Sequence, residues 1–218
     1  MPTICFDSLR IMELATFYSF LVYSLVTAIT PGPNNIMLTA SGLNFGFRRS
    51  IPHILGVAMG FGVMVAVVGL GIGNLLKSSP ALFETIRVLG IFYLLYLSWR
   101  IATAGASSSS SNTRGRPLGF VGAALFQWVN PKSWIITLSA VTSYTSNTNG
   151  SLTLFLTLGL IYTIVSLPAV SAWAYMGSRL QDLAADARRM RWFNWGMALL
   201  LASSVLPSIQ ASLQYFSL

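Results

Sequence analysis

Charge is what this sequence lacks. Only 8% of its 218 residues are Asp, Glu, Lys or Arg, and 54% are hydrophobic, whereas a soluble domain carries about 25% charged residues. So few charges cannot cover a soluble protein of this length, which excludes that class and predicts an all-α integral membrane protein. Cysteine is nearly missing too. The single Cys5 excludes a disulfide framework and any cysteine-built metal cluster. The single histidine, His53, leaves no second one for an HExxH zinc site or for activating a serine. No Asp or Glu lies in the middle of a long apolar stretch, so an intramembrane aspartate enzyme and a carboxylate-lined cation exporter are both poor readings. No enzymatic activity, metal or cofactor is expected.

The charge that is present is mostly positive, +8 overall. In a soluble protein that balance would suggest nucleic acid; here the positions of the charges explain it. Apolar stretches of about 20 residues, long enough for about 30 Å of hydrocarbon, occur at Leu14–Thr30, Ile54–Leu76, Leu82–Ala102 (with Glu84 and Arg87 near its start and Arg100 near its end), Leu118–Tyr144 (interrupted at Asn130–Pro131–Lys132), Leu152–Met176 and Trp192–Leu213. The stretches between them alternate in charge. Nine Lys and Arg follow the first, third and fifth spans: Arg48, Arg49, Arg100, Arg114, Arg116, Arg179, Arg188, Arg189 and Arg191. Only Arg10 and Lys77 fall on the other side, with Arg87 and Lys132 inside spans. The positive-inside rule then puts both termini outside the cytoplasm. Trp99, Trp173, Trp192 and Trp195 sit near span ends, as interfacial aromatics do. The expected partners are a lipid bilayer and a small solute, not nucleic acid, and a homo-oligomer is left open.

A Ser-rich cytoplasmic linker, residues 107–117, divides the chain at its midpoint. Residues 1–106 form one group of three spans and 118–218 a second. Three being odd, the second group enters the membrane in the opposite sense, the plan of an inverted repeat. Residues 1–12 read as a leader without the pattern of a cleavable signal. Met12 is a second candidate start, which N-terminal sequencing of the natural product decides.

The first span of each half is broken. From Leu14 to Phe47 there are 34 residues without a charge, too many for one crossing and too few for two. Thr30, Pro31, Gly32 and Pro33 stand in their middle, so one helix is expected to end near Thr30 and another to begin near Asn34. In the second half, Leu118–Val129 and Ser133–Tyr144 are 12 residues each, about 18 Å of helix apiece. Neither spans alone; joined at Asn130–Pro131–Lys132 they do, with Lys132 at membrane depth. Broken backbone in hydrocarbon survives only against protein or a wet cavity, and paired breaks in corresponding spans point to a transport site.

Asn34 and Asn35 stand at a helix N-terminus, whose free N–H groups suit a carboxylate, while their amides offer donor and acceptor. An ordinary capped turn is the plainer alternative. A lysine at a helix centre costs roughly 2.5–3.5 kcal/mol to insert. Lys132 therefore either pairs with a substrate carboxylate beside the helix opened by Pro131, or snorkels or packs on backbone carbonyls. Gln127 and Asn130, three apart, line the same cavity unless Gln127 is a helix–helix hydrogen bond. Gly56 and Gly60 read as close packing, Glu84 and Arg87 as a local pair, Pro168 and Pro207 as kinks, and Tyr93 and Tyr96 as core, with the cavity as their alternative. His53 has the titration range of a proton carrier, and an interfacial residue is its plainer reading.

At these residues the chain resembles the LysE/RhtB family of amino-acid exporters. The likeness lies in "TPGPNN" (Thr30–Asn35), "GFRRSIPHILGVAMG" (Gly46–Gly60), "LGIFYLLYLSWRIA" (Leu89–Ala102) and "FQWVNPKSW" (Phe126–Trp134), in order over most of the chain. The opening segment looks most like the cysteine/O-acetylserine exporter branch. Ser98 stands where the family commonly has glycine, which touches only a packing contact. The resemblance implies a bacterial inner-membrane secondary transporter. Six helices in two inverted three-helix repeats, each with a broken first helix, would export small neutral amino acids or related metabolites, coupled to protons. The absence of a carboxylate in the spans favours neutral zwitterions over cations. The alternative is a metal-ion or small-solute exporter or channel of the same six-helix format.

Overall fold

A computed structural model describes residues 14–72, 78–103, 116–145, 151–180 and 186–217. The leader 1–12, Lys77, Arg114 and linker residues 107–115 lie outside the described residues. Within them the chain forms nine α-helices and no strand.

The breaks fall where proline and glycine put them. Helix α1 (Leu14–Ile29) stops before Pro31, and α2 (Pro33–Phe45) starts with proline in its first turn, where no N–H is needed. The two are bent by 55°. One residue, Gly46, turns the chain into α3 (Phe47–Val67); its φ of 82° is the left-handed region that glycine enters freely. α3 runs on into a π-helical turn, Val68–Ile72, containing Gly71 at φ 131°. α4 (Pro80–Thr103) ends the first half. The second half contains α5 (Phe120–Val129), α6 (Pro131–Thr145), α7 (Leu152–Arg179), α8 (Ala187–Ser203) and α9 (Leu206–Phe216).

Four segments are long and apolar enough to cross a membrane: Phe47–Gly71, Pro80–Thr103, Leu152–Arg179 and Arg188–Phe216. The bent α1–α2 pair makes a fifth. At 10 and 15 residues, α5 and α6 are each too short. The chain is therefore a multi-pass membrane protein. Two boundaries differ from the sequence expectation. The second helix starts at Phe47 and not near Ile54, because Gly46 alone makes the turn and the exposed Arg48 and Arg49 ride on the first helical turn. Pro168 lies inside an uninterrupted α7, whereas Pro207 opens a new helix after Ser204 and Val205.

Without water to drive association, membrane helices pack through small residues, and this one does so along α3 and α7. A Cβ on Gly62 would collide with the Gly159 carbonyl, and one on Gly159 with the Gly62 carbonyl. Thr163 Oγ1 donates to the Ala58 carbonyl at 3.4 Å, and Phe61 stacks on Tyr162 with centroids 4.2 Å apart. The helices run antiparallel. α5 lies parallel to α3, with Gly56 against Phe120 and Ala123 and Gly60 against Ala124. α2 is buried along nearly its whole length and packs on α7, Gly42 against Ala174 and Gly177 against Thr39. α4 and α8 pair at the periphery, where Ser98 Oγ donates to the Ala198 carbonyl at 2.6 Å. The serine that departs from the family's glycine thus makes an interhelical bond. Glu84 and Arg87 form the expected local pair, at 2.6 Å.

Candidate functional site

The two breaks meet. Lys132, in the first turn of α6, reaches across to the end of α1, where its Nζ donates to the carbonyls of Thr30 at 2.7 Å and Pro31 at 3.0 Å. These are carbonyls that the end of α1 leaves without helical partners, at the negative pole of its dipole, so an ammonium suits them. Asn35 Nδ2 adds bonds to Ala28 O at 3.0 Å and Thr30 O at 2.9 Å. Asn34 and Gln127 exchange both amide hydrogen bonds, at 2.8 and 3.1 Å, tying α2 to α5. Asn130 ends α5 and caps α6: its Oδ1 accepts from the Lys132 backbone N–H at 3.1 Å.

Between the breaks lies a cavity lined by Asn34, Asn35, Asn130 and Lys132, with Phe61 and Tyr162 among its walls. Val57 and Phe61 on α3 and Tyr162, Ser166 and Val170 on α7 stand near the midpoints of the two longest packed helices. The cavity therefore lies near half-depth. It offers about 30 Å³, room for two or so waters at roughly 10–15 Å³ each. That free space is smaller than an amino acid.

Hydrogen bonds fix which way the amides face. Asn35 spends its NH₂ on two carbonyls, which turns its carbonyl oxygen, free of partners among the described residues, to the other side. Asn130 spends its oxygen on a backbone N–H, leaving its NH₂. Lys132 uses two of its three N–H donors. No side chain caps α2, whose first turn begins at Gly32. A single small space is thus lined by one ammonium, Lys132, and by the amides of Asn34, Asn35 and Asn130.

Of the two places expected for Gln127, cavity lining or a helix–helix hydrogen bond, it takes the second. It is fully buried; Asn34, Ser133 Oγ at 2.9 Å and Ala123 O at 2.9 Å take its hydrogen-bonding capacity, and it does not line the cavity. Neither Tyr93 nor Tyr96 lines the cavity; Tyr93 packs on Phe126 as expected of a core residue, whereas Tyr96 is exposed and meets Arg100, which corrects its core assignment. The sequence reading missed Thr27, Phe61, Tyr162 and Ser166. Tyr162 and Ser166, four apart on an apolar helix, were the available signal; Tyr162 OH lies 3.2 Å from Thr27 Oγ1.

Gly32 matters for its missing side chain. Its backbone is extended, open to any residue, but a Cβ would fall 2.7 Å from Lys132 Cδ and 2.9 Å from Nζ. Because a flexible side chain can yield, Gly32→Ala is expected to fold normally and displace the ammonium. Transport should fall by about tenfold, the equivalent of about 1.4 kcal/mol, with membrane protein levels unchanged. Unaltered transport would mean that the Lys132 position is not critical.

A family model for the LysE type translocator matches residues 25–204, from α1 to the end of α8 and across both breaks. The chain belongs to the LysE type translocator family. It is a transport protein, not an enzyme. It is 31% identical over 184 residues to a cysteine/O-acetylserine efflux protein of Salmonella choleraesuis, covering 84% of this chain and 92% of that protein. The counterpart in Escherichia coli O1:K1 is 29% identical over the same shares. A homoserine/homoserine lactone efflux protein of Salmonella typhimurium is 25% identical over 202 residues, 90% of this chain and 98% of the relative. No solved structure matches the chain. The breaks of this translocator lie inside the matched region, so its cavity is built from family sequence.

Proposed function

We propose that this translocator exports small neutral amino acids or close metabolites from the cytoplasm of a bacterium across the inner membrane, by alternating access and in exchange for protons. The observation that carries the reading is the cavity at the two breaks, whose lining includes Lys132, Asn130 and Asn35. A carboxylate fits the first two groups and an ammonium the third. The efflux relatives, named for cysteine, O-acetylserine and homoserine, support that substrate class.

The transport mode rests on symmetry. In the proposed arrangement the α5–α6 pair is the sixth span, and the halves are inverted repeats. The second helices of the halves pair, α3 with α7, as do the third, α4 with α8. The reciprocal contact of Gly62 and Gly159 is what a two-fold axis between the halves produces. Antiparallel α3 and α7, with α5 parallel to α3, gather Arg48, Arg49, Arg116 and Arg179 at one end of the bundle. That end is then cytoplasmic, and both termini lie outside.

The test is retention and efflux of a preloaded panel of cysteine, O-acetylserine, homoserine, threonine, leucine and lysine in cells expressing the protein. Net efflux of at least one neutral member, with lysine retained, is expected. If none leaves while the protein is shown to be in the membrane, the substrate class is wrong.

A further inference from the structure

His53 is 2% exposed, and neither ring nitrogen has a hydrogen-bond partner among the described residues. A neutral imidazole carries one donor and one acceptor, and a buried polar group left unpaired is a standing cost that a leucine in the same space would not incur. Packing alone therefore does not account for it.

Its position does. His53, Val57 and Phe61 recur at four-residue intervals along one stripe of α3, and the latter two line the cavity. His53 stands one turn, about 6 Å, beyond the cavity towards the end that carries Arg48 and Arg49. Contacts of Gly62 with Gly159, Ala58 with Thr163 and Phe47 with Tyr175 set the register with α7 and bring His53 level with Pro168. The layer here is apolar, made by Leu38, Ile54, Val57, Ala58, Val170 and Ala174. Of the elements packed on α3, the π-turn, α2 and α5 carry no ionisable side chain. α6 brings Lys132 and Tyr144, and α7 brings Tyr162, Tyr175 and Arg179; α3 adds Arg48 and Arg49. None of these is a carboxylate. A neutral ring is tolerated in this layer; an imidazolium would have neither acceptor nor counter-charge.

We propose that His53 carries the coupling proton and is the latch of the cytoplasmic layer. This rests on the exporter reading above. With the cavity open to the outside, a proton enters through it and binds the free ring nitrogen. The cation cannot stay in a dry layer, so α3 and α7 part there and admit cytoplasmic water. The proton leaves to that water, an amino acid enters the cavity, and the neutral ring lets the layer close behind it. Each cycle moves one proton in and one amino acid out.

The latch can be tested without knowing the substrate. In inside-out vesicles carrying Ile54→Cys with Cys5→Ser, labelling by an impermeant maleimide reports opening of the layer; the maleimide is corrected with a free thiol standard at each pH. Between about pH 8 and about pH 5, across the range of an ordinary imidazole, labelling should rise by about tenfold or more. With His53→Gln it should stay low throughout. With His53→Arg, a permanent charge, it should stay high throughout, so either variant that folds gives an answer. The same rise in His53→Gln, or no rise with His53 present, overturns the proposal. Failure of the efflux panel would strike the exporter reading alone, since labelling does not depend on the solute. For a panel member that is exported, one proton per zwitterion supports about a tenfold gradient per pH unit at zero potential. His53→Gln, whose layer does not open, should lose that gradient-driven accumulation and substrate exchange together; retention of the accumulation also overturns the proposal.

Discussion

Lys132→Ala is expected to bring efflux down to the level of cells without the protein, a loss of about a hundredfold or more, while the protein remains folded and inserted. The energetics make that separation possible. Removing the ammonium withdraws donors from the Thr30 and Pro31 carbonyls, both on exposed residues, at about 0.5–1.5 kcal/mol for each hydrogen bond lost. Thr30 O keeps its bond from Asn35. Against this, the variant no longer inserts a lysine at mid-depth, which recovers roughly 2.5–3.5 kcal/mol. The fold should therefore come out near balance. The site does not: its positive charge is gone, and a substrate carboxylate is left with neutral donors. Efflux of a responsive panel member, read beside immunoblots of the membrane fraction, checks both halves of the statement. Normal efflux would remove Lys132 from the transport cycle.

The largest effect on the fold should come from Gly159→Leu. Overpacking a core costs about 1–3 kcal/mol when side chains can rotate away, but here the obstacle is the Gly62 carbonyl, which belongs to the backbone of α3. The helices would have to separate, taking with them the Phe61–Tyr162 stack and the cavity wall it forms. A cost above about 3 kcal/mol is expected, seen as loss of the monodisperse peak on detergent size exclusion. Gly196→Ala is the control. Gly196 lies exposed on α8 with nothing near its missing Cβ, and alanine in a helix interior gains about 1 kcal/mol over glycine. A well-behaved Gly159→Leu protein would show that the contact between α3 and α7 is looser than described.

The membrane class and the breaks were legible because proline, glycine and missing charge act locally. Pro31, Pro33 and Pro131 end or open helices wherever they stand, so α1, α2, α5 and α6 could be placed within a few residues. Lys132 could be singled out because a charge at depth needs a reason. Its partners could not be read: the Thr30 and Pro31 carbonyls lie about a hundred residues away along the chain. Gln127 shows the same limit. Spacing put it on the face of Asn130, but only the fold could show that Asn34 and Ser133 consume it. Tyr162 and Ser166 were missed because one tyrosine and one serine on an apolar helix look like ordinary packing until α3 is brought against them. Gly62 and Gly159 carry no local signal at all, since each derives its meaning from the other.

The division of the cavity between two kinds of element has an evolutionary consequence. On the proposed function, the groups that grip a carboxylate and an ammonium, features every amino acid shares, stand on the two breaks. The walls that meet whatever distinguishes one amino acid from another are Val57 and Phe61 on α3 and Tyr162, Ser166 and Val170 on α7. Drift at those few wall positions can change the cargo while the grip is inherited intact, so paralogues with different cargoes need not reinvent the transport machinery.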